Sequence, residues 1–251
     1  MEEEGSFYGT FLFFYFVFSK KCSNFARKLK LMTMNKNYLV MICMAWLLCV
    51  THATDAKSMR DFWISMPDSL IPTMNANMRT ELVELQEMGV KSEVSNLLGD
   101  NVVLDTLTAD FLQVRLSKVA TLQIKQLPLA DGKDSLWCVV KTFSAPEKDS
   151  EVQFYNQQWQ ALDTKEYFGG KSMDDIMESL IQKPDTMGEA RFEELKEMIE
   201  PRMMSAMLFQ DDSSIVFRLS LPLMSVEDKK QVKAIKMQRK FNWNGKKFNE
   251  N

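Results

Sequence analysis

The sequence predicts an α+β fold, antiparallel β-meanders packed with helices, and three observations carry that prediction. First, residues 93–159 alternate apolar and polar positions. Leu112, Val114 and Leu116 alternate with Gln113 and Arg115, and Leu122 and Ile124 with Gln123 and Lys125. A period of two sends neighbouring side chains to opposite faces of a sheet, here one face buried and one in water. Second, SLWCVVKTF is apolar on both faces, with Leu136, Cys138 and Val140 on one and Trp137, Val139 and Phe143 on the other. That pattern marks a central strand covered from both sides. Third, Gly99-Asp100-Asn101 and Asp131-Gly132-Lys133-Asp134 punctuate the meander with residues that tolerate the positive φ of hairpin turns.

Taken in order, the chain opens on two apolar segments, Phe7 to Phe18 and Tyr38 to Val50. Each is shorter than the roughly 20 residues a spanning helix needs. The second reads as a secretory signal: Lys36 in a short n-region after Met34, an apolar run, then Thr51-His52-Ala53, with cleavage expected after Ala53. A retained N-terminal anchor is the alternative. A lipid on Cys49 is disfavoured by Leu48, where a small residue belongs. A signal starting at Met34 is complete without residues 1–33, which read as an upstream extension of the true start. The expected organisation is therefore the extension 1–33, a signal peptide 34–53, and helix-plus-meander lobes at 54–168 and 169–251. The expected location is the periplasm or another exported compartment, without stable membrane insertion after cleavage.

Residues 1–53 carry six Lys/Arg and three Asp/Glu, so the remainder has a formal net charge of −6. An acidic domain lacks the electrostatic footprint of a nucleic-acid binder. The densest basic group, from Lys229 to Lys240, reads as a solvated face. Cysteine usage is equally restrictive. Cys22, Cys43 and Cys49 leave with the signal, and the remaining Cys138 lies in the central strand as a buried thiol.

Past the cleavage site, Met59, Phe62, Trp63 and Met66 recur at helical spacing behind Ser58, a candidate N-cap, and Pro67 ends that helix. A second helix is expected over about Asn77 to Met88, with Leu82, Leu85 and Met88 inward and Gly89 as the stop. After the meander, Phe168-Gly169-Gly170 marks an internal boundary. Ser172 caps a helix carrying Met173, Ile176 and Leu180, and another carries Phe192, Leu195 and Ile199. Strands return with MMSAMLFQ and SIVFRLSL, then a short helix from Ser225, then VKAIKMQRKFNW as a long strand. Asn244-Gly245 predicts a type I′ turn before Phe248. VRLS at 114–117 and FRLS at 217–220 occupy comparable places; a weak internal repeat and ordinary strand composition account for this equally well.

FWISMPDSLIPTMNANMRTELVEL, VVLDTLTADFLQVRLS, SLWCVVKTF and the terminal KFNWNGKKF resemble a family of uncharacterised secreted proteins of Bacteroides-type bacteria, a domain of unknown function with family number 3256. MPDSL and Thr108-Ala109-Asp110 are the most specific parts, and the likeness covers nearly all of the chain after the signal. The resemblance implies an exported envelope protein and supplies no catalytic residue, cofactor or metal.

The only histidine is His52, inside the signal. Without it the chain lacks the usual general base and the commonest metal ligand, which excludes Ser–His–Asp and Cys–His catalysis, and with Cys138 as the single remaining cysteine the usual zinc sites are excluded too. Three chemistries survive. Carboxylates such as Asp100, Asp105 and Asp110 could serve glycoside hydrolysis, although as residues near turns they read more simply as solvated. Met203, Met204 and Met207 could offer thioethers to Cu(I), although methionine is ordinarily core filler. A Ser–Lys pair has no marking spacing. Aromatic residues interleaved with amides close two late strands, and Tyr155, Trp159, Trp243 and Phe248 form a candidate interaction surface. Of this group Phe241 is expected in the core. The sequence thus predicts an exported, non-catalytic binding or interaction module whose partner is a protein or glycan of the envelope, with no cofactor; a carboxylate-dependent glycosidase is the alternative.

Overall fold

The structure, a computed structural model, describes residues 57–250 apart from Lys133, Pro146, Pro222 and Leu223. The expected upstream extension, signal peptide and cleavage near Ala53 lie outside the described residues. Helix α1 spans Met59–Ile64, and Ser58 Oγ accepts from Asp61 N at 3.1 Å, the N-cap bond. A 3-10 turn at Asp68–Leu70 follows, then helix α2 at Ala76–Glu87, capped by Asn75. Gly89, at φ 69°, ends α2.

Seven strands come next: β1 (Glu93–Ser95), β2 (Asn101–Leu107), β3 (Phe111–Arg115), β4 (Ala120–Pro128), β5 (Ser135–Ser144), β6 (Lys148–Tyr155) and β7 (Ala161–Leu162). They pair in chain order, all antiparallel, as one meander. A 3-10 helix at Thr164–Phe168 and helices α3 (Met173–Ser179) and α4 (Glu189–Glu197) lead to β8 (Met203–Leu208) and β9 (Ser214–Ser220). Helix α5 (Val226–Val232), β10 (Gln238–Trp243) and β11 (Phe248–Glu250) complete the chain. The second sheet is ordered β11-β10-β9-β8, again antiparallel. The fold is α+β, as the alternation predicts.

The seven-stranded sheet is the middle of three layers. One face carries Leu104, Leu112, Val114, Leu122, Ile124 and Trp137 beneath α1 and α2, where Phe62, Trp63 and Leu82 meet it. The other carries Leu127, Leu136, Cys138, Val140 and Phe154 against Leu208, Ile215, Phe217 and Phe241 of the four-stranded sheet, with Phe168 and Ile176 between. Burial on both faces is why β5 is buried continuously from Ser135 to Val140. A third cluster, with Phe192, Leu195, Val232 and Ile235, joins α4 to α5. All described residues fall in one compact unit, Asp55–Asn251.

Burial raises the Cys138 thiol well above the ordinary thiol range. A thiol reagent is therefore expected to label Cys138 only after unfolding; rapid labelling of the native protein, read by intact mass, would contradict the burial of β5.

Four expectations need correction. VKAIKMQRKFNW is not one strand: α5 consumes its start, Val232 and Ile235 pack into the third cluster, and β10 begins only at Gln238. Lys125 does not face water. It is 1% exposed, because the second sheet covers that face. Met88 points outward at 66% exposure, since α2 turns Leu82 and Val83 inward instead. The last hairpin is not a two-residue type I′ turn. Trp243 pairs with Phe248, leaving a loop of four residues in which Asn244 Oδ1 accepts from the amides of Lys246 and Lys247. Positive φ is needed only at Gly245, at 90°.

That loop docks on the β4–β5 turn. Ala130 N donates to Gly245 O at 2.9 Å, and Trp243 Nε1 donates to Pro128 O at 2.7 Å. A Cβ at position 245 would stand 3.1 Å from the Ala130 backbone. Gly245→Ala therefore combines a left-handed backbone with a close contact and is expected to cost about 1–3 kcal/mol in chemical denaturation. A change near zero would mean the loop is not held against Ala130.

Candidate functional site: a polar cleft at the corner of two sheets

The site grows from the way an edge strand is satisfied. β8 borders the four-stranded sheet and pairs on one side with β9, leaving alternate backbone amides without a strand partner. An open edge of this kind invites pairing with foreign strands. Here side chains of the seven-stranded sheet take up the amides. Ala206 N donates to Ser150 Oγ at 2.9 Å, Leu208 N to Gln123 Oε1 at 3.0 Å and Met204 N to Asp149 Oδ1 at 3.3 Å. Lys125 Nζ extends the seam, donating to Gln210 O at 2.8 Å and pairing with Asp110 at 2.8 Å. The second sheet thus meets the first edge against face.

An edge against a face makes a corner, and the corner is open. A cleft of about 600 Å³ lies along it. Its floor is Gln113, Thr121, Gln123 and Thr142 of β3, β4 and β5, on the same face whose far end is core. Its wall is the outer surface of β8, β9 and β10, including Ser205, Met207, Val216, Arg218 and Gln238, with Phe209 beyond β8. A second depression of about 640 Å³ shares Glu147, Arg218, Ser220 and Gln238 with the first and runs on to Lys229 and Lys233 of the α5 region.

Two cross-strand pairs set the polar groups. Gln113 faces Gln123 in the β3–β4 register, and Gln123 Nε2 donates to Gln113 Oε1 at 2.8 Å. Arg218 faces Gln238 in the β9–β10 register, and its Nε donates to Gln238 Oε1 at 2.8 Å. Arg218 is exposed and meets no carboxylate among the described residues. Glu147 pairs with Lys229 at 3.1 Å. Alternation in the sequence predicts Gln113 and Gln123 in water and marks neither Arg218 nor Gln238 as a site residue. The available signal was the repetition of long polar side chains at registered positions of neighbouring strands, visible only once the strands are paired.

The four aromatic residues of the expected surface do not come together. Trp159 is 8% exposed. It lies on the helical side, where its ring stacks on Phe62 at 3.8 Å and its Nε1 donates to Phe62 O at 3.0 Å. Tyr155 is half-buried beside it. Phe248 is 3% exposed and stacks on Phe168 at 5.3 Å, in the core between the sheets. Trp243, half-buried, packs edge-on to Phe248. An aromatic platform is thus replaced by two separate packing clusters on opposite faces of the seven-stranded sheet. Phe241 is core, as expected.

The other candidates disperse as well. Asp105 is held by Arg115 and Asp110 by Lys125, each at 2.8 Å, while Asp100 lies in the β1–β2 turn. Met204 is buried and Met207 exposed, so alternation along β8 splits the three thioethers between two faces. Among the described residues there is no cluster of three His, Cys, Asp or Glu able to hold a metal ion, and no helix long and apolar enough to cross a membrane.

No curated protein matches the chain. Among solved structures, a domain of an uncharacterized protein from Porphyromonas gingivalis W83 is similar with a TM-score of 0.62 at 20% identity, over 76% of this chain and 97% of that one. At that identity the likeness shows the fold. The sequence itself matches the family described as "Protein of unknown function (DUF3256)" over residues 51–248, and with that extent of match the chain belongs to the DUF3256 family.

Proposed function

We propose that the protein is an exported, non-catalytic binding module of the periplasm or cell envelope, and that the corner cleft is where its ligand sits. The cleft carries this reading. It is a concave site with amides, hydroxyls and an arginine at registered positions, the pattern of a site that orients a polar ligand. Support for the absence of catalysis is chemical. Glycoside hydrolysis works with a pair of carboxylates, and the lining offers one, Glu147, already paired with Lys229. Support for export is the signal-like run from Met34 to Ala53.

Two measurements test the reading. Osmotic-shock fractionation of producing cells is expected to release a chain beginning at Thr54; a cytoplasmic chain retaining Met34 would sink the export claim. The purified protein is expected to bind, saturably and without turnover, at least one probe from a panel of maltotetraose, tetragalacturonate and tetraglutamate. That binding should fall in Gln113→Ala and Gln238→Ala. A panel with no binding, or binding indifferent to both substitutions, would remove the cleft from the account.

A further inference from the structure

Resting on that binding reading, we infer that the groove formed by the two joined depressions takes a linear oligosaccharide bearing anionic groups. The first argument is charge. The protein as a whole is acidic, with a formal net charge of −3. Along this groove the balance reverses: Lys148, Arg218, Lys229 and Lys233 line it against the single carboxylate of Glu147. Glu147 neutralises Lys229, so Lys148, Arg218 and Lys233 are left without a carboxylate partner among the described residues. A groove walled by protein focuses the field of such charges and raises the local concentration of anions.

The second argument is the direction of the hydrogen bonds. Gln113 Oε1 is taken by Gln123, and Gln238 Oε1 by Arg218. Each amide therefore spends its acceptor inside the protein and keeps its NH2 group for the cleft, with no intramolecular partner among the described residues. Arg218 binds through Nε and Nη2, and its Nη1 likewise has no such partner. The groups that Gln113, Gln238 and Arg218 leave free are donors, so the ligand they fit offers acceptors. Carboxylate or sulfate supplies acceptors for the guanidinium, whose fork matches either. Sugar hydroxyl and ring oxygens supply them for the amides.

The third argument separates a glycan from an acidic peptide. A peptide held in such a corner would pair with an open strand edge. The β8 edge is already satisfied by Asp149, Ser150 and Gln123. What remains is a surface of side-chain donors beside Phe209 and Val216, which offer apolar area to the faces of sugar rings.

Calorimetric titration of the purified full chain tests the inference with four probes: tetragalacturonate, a sulfated tetrasaccharide, maltotetraose and tetraglutamate. Tetragalacturonate or the sulfated sugar is expected to bind, more weakly at high salt, and whichever binds more tightly identifies the anionic group. Arg218→Gln is expected to weaken that binding roughly ten- to a hundredfold, the loss of one charge-assisted hydrogen-bonding group. Arg60→Gln, a change of the same charge on α1, is expected to leave it unaltered. Because Arg218 is exposed, its variant should melt with the native protein; if it does not, Lys148→Gln provides the same comparison. Equal binding of maltotetraose, or loss of affinity in Arg60→Gln as large as in Arg218→Gln, overturns the anionic inference while leaving a binding module. Binding of tetraglutamate alone overturns the glycan inference in favour of a peptide. No binding by any of the four overturns both this inference and the reading on which it rests.

Discussion

Phe62→Ala is expected to destabilise the protein by about 3–5 kcal/mol, the largest loss of any single truncation proposed for it. Phe62 is fully buried between two indoles, stacked on Trp137 at 3.9 Å and 10° and on Trp159 at 3.8 Å and 16°. The three rings tie α1 to β5 and to the turn after β6. Trp159 stands at φ 60°, a left-handed backbone that costs an L-residue about 1–2 kcal/mol. Stacking on Phe62 and the Nε1 bond to Phe62 O hold it there. Removing the central ring leaves a cavity, two indoles without their partner and a strained turn with less to offset it. Phe62→Leu restores most of the volume without the ring and should recover over half of the loss. Equilibrium denaturation followed by tryptophan fluorescence reads both variants, and a loss below about 1 kcal/mol in Phe62→Ala would mean that α1 is not the clasp described.

Arg79→Ala is expected to cost about 2–4 kcal/mol, by a different mechanism. Arg79 is 1% exposed within α2. Its Nη1 donates to Met74 O at 3.1 Å, and its Nη2 donates to Met66 O and pairs with Asp68 at 2.8 Å. These contacts pin the MPDSL turn to the helix that follows it. Alanine removes the packed stem and leaves two carbonyls without their donor, and buried acceptors left unsatisfied cost about 1–3 kcal/mol. Asp68 is 60% exposed, so its charge is solvated when the guanidinium goes. Arg79→Met keeps the stem and loses the hydrogen bonds, so the difference between the two variants separates packing from hydrogen bonding. If methionine matches wild type in denaturation, the turn is held by packing alone.

Arg79 also shows where sequence reading reaches its limit. Periodicity located α2 and gave Leu82 its inward place, but an arginine on that face reads as solvent-exposed until the turn that solvates it is in view. The same holds for Lys125, read as water-facing because its neighbours Leu122 and Ile124 claim the other face. The first sheet was legible because alternation and hairpin residues are local. Its second cover was not, because the bonds that seat β8 join residues as far apart as Gln123 and Leu208. Helix starts at Ser58, Ser172 and Ser225 were legible, since each serine caps an amide three residues on. The start of β10 was not, because Ile235, Met237 and Phe241 keep a strand-like spacing while Ile235 packs with the helices. The cleft was the least legible part. Its floor and wall come from opposite ends of the domain, and the residues that build it are ordinary solvent-facing types in each strand taken alone.

The central claim is that the corner between the two sheets is a binding site, and amide chemical-shift mapping during titration with tetragalacturonate tests it most directly. The predicted result is a set of saturable shifts confined to the groove lining, around Gln113, Gln123, Thr142, Lys148, Ser205, Arg218, Lys233 and Gln238, with α1 and α2 unmoved. Shifts centred instead on Tyr155 and Trp159, or saturable binding that leaves the amides of the corner unchanged, would contradict it.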